Sequence, residues 1–425
     1  MAPPAASTDC TMERLKTSRY NRYLCEHGLV ANTRSGAVVR LEQADILALQ
    51  DGDADGLRPD LRHELVRQGV LVPSDVDELA LVLEAWTGRA THFQILTTTD
   101  CNGACPYCYQ RGMPVSYMDD ETAQQTIEFI SQHAGGRSEA VQLEWFGGEP
   151  LLNTRAIDTI CNGLKAKGVL FHSSITTNAS AFTPTLMARV PEDWNLVHAQ
   201  VTLDGVGIRH EAVKGLASGT FDRIVNCLRN LMDQDVAVTI RINHTDFVAE
   251  AALLDFLAQA LASYSDRMCI VLSPLYQARG EARKRAMGEI LELKRRLCES
   301  GLVSADLLFR MRPAKSRCHA AEGGFTVAPD GRLFSCAHCM NDQECFGTVW
   351  EYDSDHPMRL KFVSRDLADR CLDCLFLPIC LGGCKAGELG LVQMDQCLPV
   401  SLVFDEMLLI GSECRDASEW RRALR

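Results

Sequence analysis

At 425 residues, 46% hydrophobic and 23% charged, with a formal net charge of −13, the chain has the balance of a folded protein large enough for two or three domains. The negative charge is dispersed, and no stripe of Lys and Arg interleaved with aromatics marks a nucleic-acid groove, so nucleic acid is not an expected partner. The opening MAPPAASTDCTMERLK lacks the apolar core of a secretory signal and no apolar run is long enough to span a bilayer, so the expectation is a cytoplasmic protein with no membrane partner.

In chain order, residues 1–90 read as a small αβ module, with strand-like YLCEHGLVA and AVVRL followed by helical QADILALQ and LRPDLRHELVRQGVLV. It is either a structural cap or a winged-helix-like module that grips a peptide. Residues 91–301 alternate strand-like and helix-like stretches, with strands expected near 92–99, 140–146, 171–177, 196–203, 236–243 and 267–273. The helical patterns between them include DDETAQQTIEFISQHA and TFDRIVNCLRNLMDQ. Six βα units of this kind predict an α/β fold built on a partial (β/α)6 barrel, with ligands at the C-terminal ends of the strands. After residue 301 the helical pattern stops, and a cysteine-rich, turn-rich third domain (302–425) begins, with APDGRLFSC as a hairpin.

Nineteen cysteines in a reducing compartment point to metal binding or redox chemistry where they cluster. Cys10, Cys25, Cys161, Cys227, Cys269, Cys298 and Cys414 are scattered singly and read as small hydrophobes. Cys101-x3-Cys105-x2-Cys108 follows the first barrel strand. Three thiolates at that spacing can wrap one loop around a cubane and leave its fourth iron without a chain ligand. The alternative is a zinc knot, for which this loop supplies no fourth ligand.

The CxxxCxxC spacing, with Tyr107 before the last Cys, resembles the radical S-adenosylmethionine (SAM) signature, and residues 92–276 match that superfamily in order. Gly147-Gly148-Glu149-Pro150 looks like its GGEP motif, and Thr176-Thr177-Asn178 is similar to its TNG segment, with Ala179 in place of the usual Gly. Thr202-Leu203-Asp204-Gly205 resembles SxDG, His210-Glu211-x2-Lys214 resembles HDxxR, and Arg241-Ile242-Asn243 looks like a further contact. The resemblance implies that Cys101, Cys105 and Cys108 hold a [4Fe–4S] cluster. It also implies that Tyr107, Gly147, Gly148, Glu149, Pro150, Thr177, Asn178, Thr202, Asp204, Lys214, Arg241 and Asn243 seat S-adenosylmethionine, with Glu149 toward the methionine amine and Lys214 toward its carboxylate. The implied chemistry is reductive release of a 5′-deoxyadenosyl radical that abstracts hydrogen, with an electron donor such as flavodoxin or ferredoxin.

The second group reads Cys318-x12-Gly331-x4-Cys336, Cys371-x2-Cys374-x5-Cys380-x3-Cys384 and Cys397. It resembles the SPASM extension of radical SAM enzymes that modify peptides and proteins; a zinc ribbon is the alternative for the Cys371–Cys384 stretch. By that resemblance Cys371, Cys374, Cys380 and Cys397 hold one auxiliary [4Fe–4S] cluster, while Cys318, Cys336 and Cys384 belong to the other. Cys339, Cys345, His338 and His319 compete for its fourth position, or the position is open to substrate. Sulfatase-activating relatives carry an Asp after the Gly-x4-Cys cysteine, where this chain has Ala337, which disfavours formylglycine formation. The N-terminal stretch resembles the leader-recognition module of peptide maturases, which adds a leader as an extra strand. The resemblance therefore implies a maturase that installs a thioether or carbon–carbon cross-link in a ribosomally made precursor peptide bearing a leader. Its rivals are an epimerase using Cys339 or Cys345 as hydrogen donor, a sulfatase-maturase-like oxidase, and a non-catalytic Fe–S or zinc protein.

Overall fold

Burial alternates with period two along the central strands after the first, which is buried throughout, as expected when one face of a sheet meets helices and the other a lumen. In the computed structural model, which describes residues 14–88, 91–134, 139–245 and 250–423, these strands are β1 (His92–Thr98), β2 (Val141–Gly147), β3 (Phe171–Thr177), β4 (Leu196–Thr202), β5 (Ala237–His244) and β6 (Met268–Pro274). They run parallel and lie side by side in chain order. Leu143, Trp145, Ile175, Val201 and Ile240 form the buried outer face, while Glu144, Thr176, His198 and Thr239 on the other face are half-buried. The helices between them include α1 (Asp120–Ala134), α2 (Thr154–Ala166), α3 (Ile208–Lys214), α4 (Thr220–Asp233), α5 (Glu250–Ala260) and α6 (Gly280–Glu299). This is the α/β partial barrel that the alternating pattern predicts.

Two features depart from the reading of the last third. The expected hairpin, β7 (Phe325–Val327) and β8 (Leu333–Phe334), is not separate from the barrel: β7 pairs in parallel with β1, Phe325 opposite Phe93, making the sheet eight-stranded. The helical pattern also does not stop at residue 301, because α7 (Phe404–Ala423) is among the longest helices and packs on α6. The cysteine-rich segment before it obscures its apolar stripe of Phe404, Met407, Leu408 and Cys414. Gly411 lets α7 approach closely, since a Cβ there would meet the Phe309 Cβ at 2.8 Å.

The contacts divide the chain into two units. One comprises the N-terminal residues to Thr87 together with Arg310–Lys315 and Leu367–Leu381; the other comprises the rest, including the barrel. Within the first, antiparallel strands Asn21–Leu24, Leu29–Asn32 and Val38–Arg40 form a three-stranded sheet, and Leu15–Thr17 pairs with Leu71–Pro73. Helices Gln43–Gln50 and Pro59–Arg67 cover a core of Val30, Ile46, Leu49, Leu57 and Leu65. Tyr20, Val82 and Trp86 pack with Leu377 and Leu381, and Ala314 N–H donates to the Pro378 carbonyl at 2.7 Å.

Of the single cysteines, Cys161, Cys227 and Cys414 are buried as expected and Cys25 and Cys298 half-buried, but Cys269 is exposed on β6; Cys10 lies outside the described residues. Among the described residues no helix is long and apolar enough to cross a membrane.

Candidate functional site

The three-cysteine loop leaves the end of β1 and is held by its own backbone. Cys101 N–H donates to Asp100 Oδ1 (2.9 Å), Gly103 N–H to Cys101 Sγ (3.3 Å) and Cys108 N–H to the Cys105 carbonyl (3.2 Å). Ala104 N–H donates to the Lys214 carbonyl at 2.6 Å, and Gly215 (φ 66°) allows that approach, because a Cβ there would sit 2.9 Å from the Ala104 Cβ. Cys101 and Cys108 are exposed and Cys105 half-buried. Burial pushes the Cys101 and Cys105 thiols up, so their thiolates need a cationic partner.

The GGEP turn is dictated by close packing. A Cβ on Gly147 or Gly148 would lie 2.1 Å from the Thr98 or Asp100 carbonyl oxygen, so β2 can end against β1 only with glycine at both positions. Glu149 is fully buried and its carboxylate is already engaged. Oε1 accepts from Thr177 Oγ1 (2.6 Å) and Leu151 N–H (3.2 Å), and Oε2 from Asn178 N–H (2.7 Å). The side chain thus ties the ends of β2 and β3. Pro150 accepts from Thr97 Oγ1 (3.1 Å), and Asn178 Nδ2 donates to Asn102 Oδ1 (2.8 Å) beside Cys101. Ala179 has φ 60°, the left-handed conformation that glycine adopts freely.

Asp204, Tyr107 and Lys214 converge. Tyr107 hydroxyl donates to Asp204 Oδ2, and Lys214 Nζ lies 3.1 Å from the same oxygen, with both charged groups buried. Burial works against the Lys214 charge, but Asp204 outweighs it and raises the lysine above its ordinary range. Lys214 is therefore committed to Asp204. Asp204 Oδ1 is a buried acceptor with no partner among the described residues. Asp204 N–H donates to His210 Nδ1 at 3.1 Å, and burial lowers His210 to about 4, so the ring is neutral. Arg241 Nε donates to Asn243 Oδ1 (2.9 Å), and Thr202 is its register partner on β4.

Sequence reasoning missed the lumen's polar layer. Gln94 Nε2 donates to Glu144 Oε2 (3.1 Å), His92 Nε2 lies 3.2 Å from the same oxygen, and Thr176 Oγ1 donates to Oε1 (3.4 Å). The His319 ring stacks on His92 at 4.7 Å. Polar His92 and Gln94 two apart in a strand that otherwise reads as buried were the available signal. Also missed were Tyr109 and Tyr276, which meet His338 at 4.0 and 5.4 Å between ring centroids.

The second cysteine group is divided between the two units. Cys371, Cys374 and Cys380 belong to the N-terminal unit; Cys318, Cys336, Cys339, Cys345, Cys384 and Cys397 belong to the barrel unit. Among the described residues, His92, Glu144 and His319 are the one group of three or more His, Cys, Asp or Glu whose ligand atoms all lie within 4.8 Å.

A partial parallel barrel with a three-thiol loop at the C-terminal end of its first strand defines an iron–sulfur enzyme of the α/β barrel class. Residues 95–260 match the Radical SAM superfamily, so this stretch is a radical SAM enzyme domain. The chain is 26% identical over 320 residues to a serine-type anaerobic sulfatase-maturating enzyme of Klebsiella aerogenes, covering 67% of this chain and 77% of that one. Its fold is similar to that of anSMEcpe with bound AdoMet (TM-score 0.56, 14% identity, 76% of this chain and 100% of that one). It is also similar to Streptococcus suis SuiB bound to S-adenosylmethionine (TM-score 0.53, 13% identity, 90% of this chain and 99% of that one).

The domain match implies S-adenosylmethionine and one [4Fe–4S] cluster. The donor set fits both: three thiols on one loop leave one iron free, and the orphaned Asp204 Oδ1 nearby awaits a donor.

Proposed function

We propose that the protein modifies a ribosomally made precursor peptide, forming a thioether or carbon–carbon cross-link. The observation that carries this reading is the N-terminal αβ unit, whose strand Val38–Arg40 is an edge of its three-stranded sheet and offers a backbone ladder to an extended leader. The SuiB fold, which matches over nine-tenths of this chain, has been solved bound to precursor peptide SuiA, and this supports a peptide as the substrate class.

When bound, the cluster and S-adenosylmethionine supply one-electron carbon–sulfur cleavage and an oxidant able to take hydrogen from an unactivated carbon. The chain's own part is to hold and to exclude. Cys101, Cys105 and Cys108 hold the cluster, and Gly147 and Gly148 bring backbone close to the ligand. Asp204, fixed by Tyr107 and Lys214, presents Oδ1. With Lys214 committed to Asp204, half-buried Arg241 is the cation for the ligand's carboxylate. The spacing of the C-terminal cysteines supports two further clusters, and an external flavodoxin or ferredoxin supplies the electron.

The likeness to sulfatase-maturating enzymes favours a second reading, oxidation of a protein serine or cysteine to formylglycine. Ala337, buried directly after Cys336, offers no proton acceptor for it. The test is anaerobic turnover of a leader-bearing precursor peptide with dithionite and S-adenosylmethionine, read by mass spectrometry. Loss of two hydrogen atoms without reactivity toward a hydrazide supports the cross-link. Hydrazide capture supports formylglycine, reached from serine by the same loss of two hydrogens and from cysteine by that loss together with replacement of sulfur, released as sulfide, by oxygen from water; no change with any leader peptide removes the maturase reading.

A further inference from the structure

With Cys318, Cys336 and Cys384 taken as ligands of one auxiliary cluster, one iron lacks a chain ligand, and the assignment of a fourth rests on that reading. His319, His338, Cys339 and Cys345 are all close in sequence. The fold separates them. The His319 ring is stacked on His92, and His338 is stacked on Tyr109. Cys345 Sγ donates to the Gly347 carbonyl at 3.3 Å. His319 and Cys345 are thereby engaged away from the cysteine group, whereas His338 Nδ1 also lies 4.0 Å from Cys336 Sγ and is the rival of Cys339.

Cys339 is placed differently. It is 1% exposed and forms a buried core with Ala320, Phe362 and Ala386, against which Cys336 and Cys384 both pack. Ala320, two residues after Cys318, brings the third cysteine's segment to the same core. Cys339 N–H donates to the Cys336 carbonyl at 2.9 Å, closing the Cys336-x2-Cys339 turn. A Cys-x2-Cys turn is a spacing at which two thiolates serve one metal centre.

We propose that Cys339 is the fourth ligand of the cluster held by Cys318, Cys336 and Cys384, so that this cluster is closed by the chain and offers no iron to substrate. Ligation removes the Cys339 proton and forms an Fe–S bond; no other bond breaks. Cys339 is then not a hydrogen donor to substrate, and substrate is modified away from this cluster.

The test uses the full-length chain with Cys101, Cys105 and Cys108 changed to Ala, reconstituted anaerobically so that only the auxiliary irons remain, about eight per chain for two cubanes. The reduced EPR spectrum should not move when cyanide is added, because no iron has a free position. Adding Cys339→Ala should make the spectrum cyanide-sensitive and yield a three-iron signal on mild oxidation, while Cys345→Ala should behave as the parent. A cyanide-sensitive parent overturns the proposal without requiring that the Cys339 variant fold. So does a His338→Ala or Cys345→Ala variant that gains the sensitivity instead. If Cys336→Ala keeps all the irons, or if the sites bind zinc, the underlying ligand set fails and the proposal with it.

Discussion

The Cys101–Cys108 loop and the Cys336–Cys339 turn put the same side chain in opposite surroundings. Cys101 and Cys108 are exposed on a loop whose geometry is set by hydrogen bonds to its backbone, whereas Cys339 is part of an apolar core. An exposed thiol can be lost without a cavity, so the loop is free to serve chemistry. A packed one cannot, because core atoms contribute to folding as well as to ligation. The loop's precision comes from what lies beneath it: the buried Asp204, Lys214, Glu149 and His210, none of which needs to touch iron.

Five variants test that contrast. Cys108→Ala should abolish dithionite-dependent 5′-deoxyadenosine release and remove about four irons per chain, with little change in the urea midpoint of the apoprotein. A large loss of stability would break the contrast. Lys214→Ala should cost roughly 3–5 kcal/mol in urea unfolding, since it strands a buried Asp204 charge. The double variant Lys214→Met with Asp204→Leu should cost much less than the two single losses added, as expected of coupled neighbours.

His210 should give the next effect. Its folded value of about 4 lies below an unfolded value near 6.5, so the unfolded chain takes the proton first as pH falls. The stability from keeping this ring neutral is complete above about pH 6.5 and is lost toward pH 4, a difference of roughly 3 kcal/mol. Urea midpoints of the apoprotein across that range should fall in the parent and fall less in His210→Gln. Ala179→Gly should be the smallest change, a gain of roughly 0.5–1 kcal/mol, because it removes left-handed strain at the price of chain entropy. A loss of thermal midpoint would show that the Ala179 methyl is worth more in its buried setting than the strain it carries.

Much of the scaffold was legible because strand and helix periods are local properties. HFQILTT, FHSSITT and their counterparts each report their own state, and the glycines of Gly147-Gly148 report a turn. The C-terminal helix was not legible beside a cysteine-rich segment, and the parallel pairing of Phe325 with Phe93 joins residues far apart in sequence. The site divides similarly. Glu149, Lys214, Thr177, Asn178 and Asp204 are all visible in motifs, but their pairing is not: Thr177 and Asn178 occupy Glu149, and Asp204 occupies Lys214.

What the sequence determined by itself is the set of groups able to do chemistry: thiols at fixed spacing on one loop, glycines where backbone must pass backbone, and an alanine where relatives use an acid. Only the tertiary structure decided which of those groups remain available. A buried charge must find a partner wherever the fold brings one, and a buried thiol a packing place: Asp204 found Lys214, the His319 ring found His92, and Cys339 entered the core on which Cys336 packs.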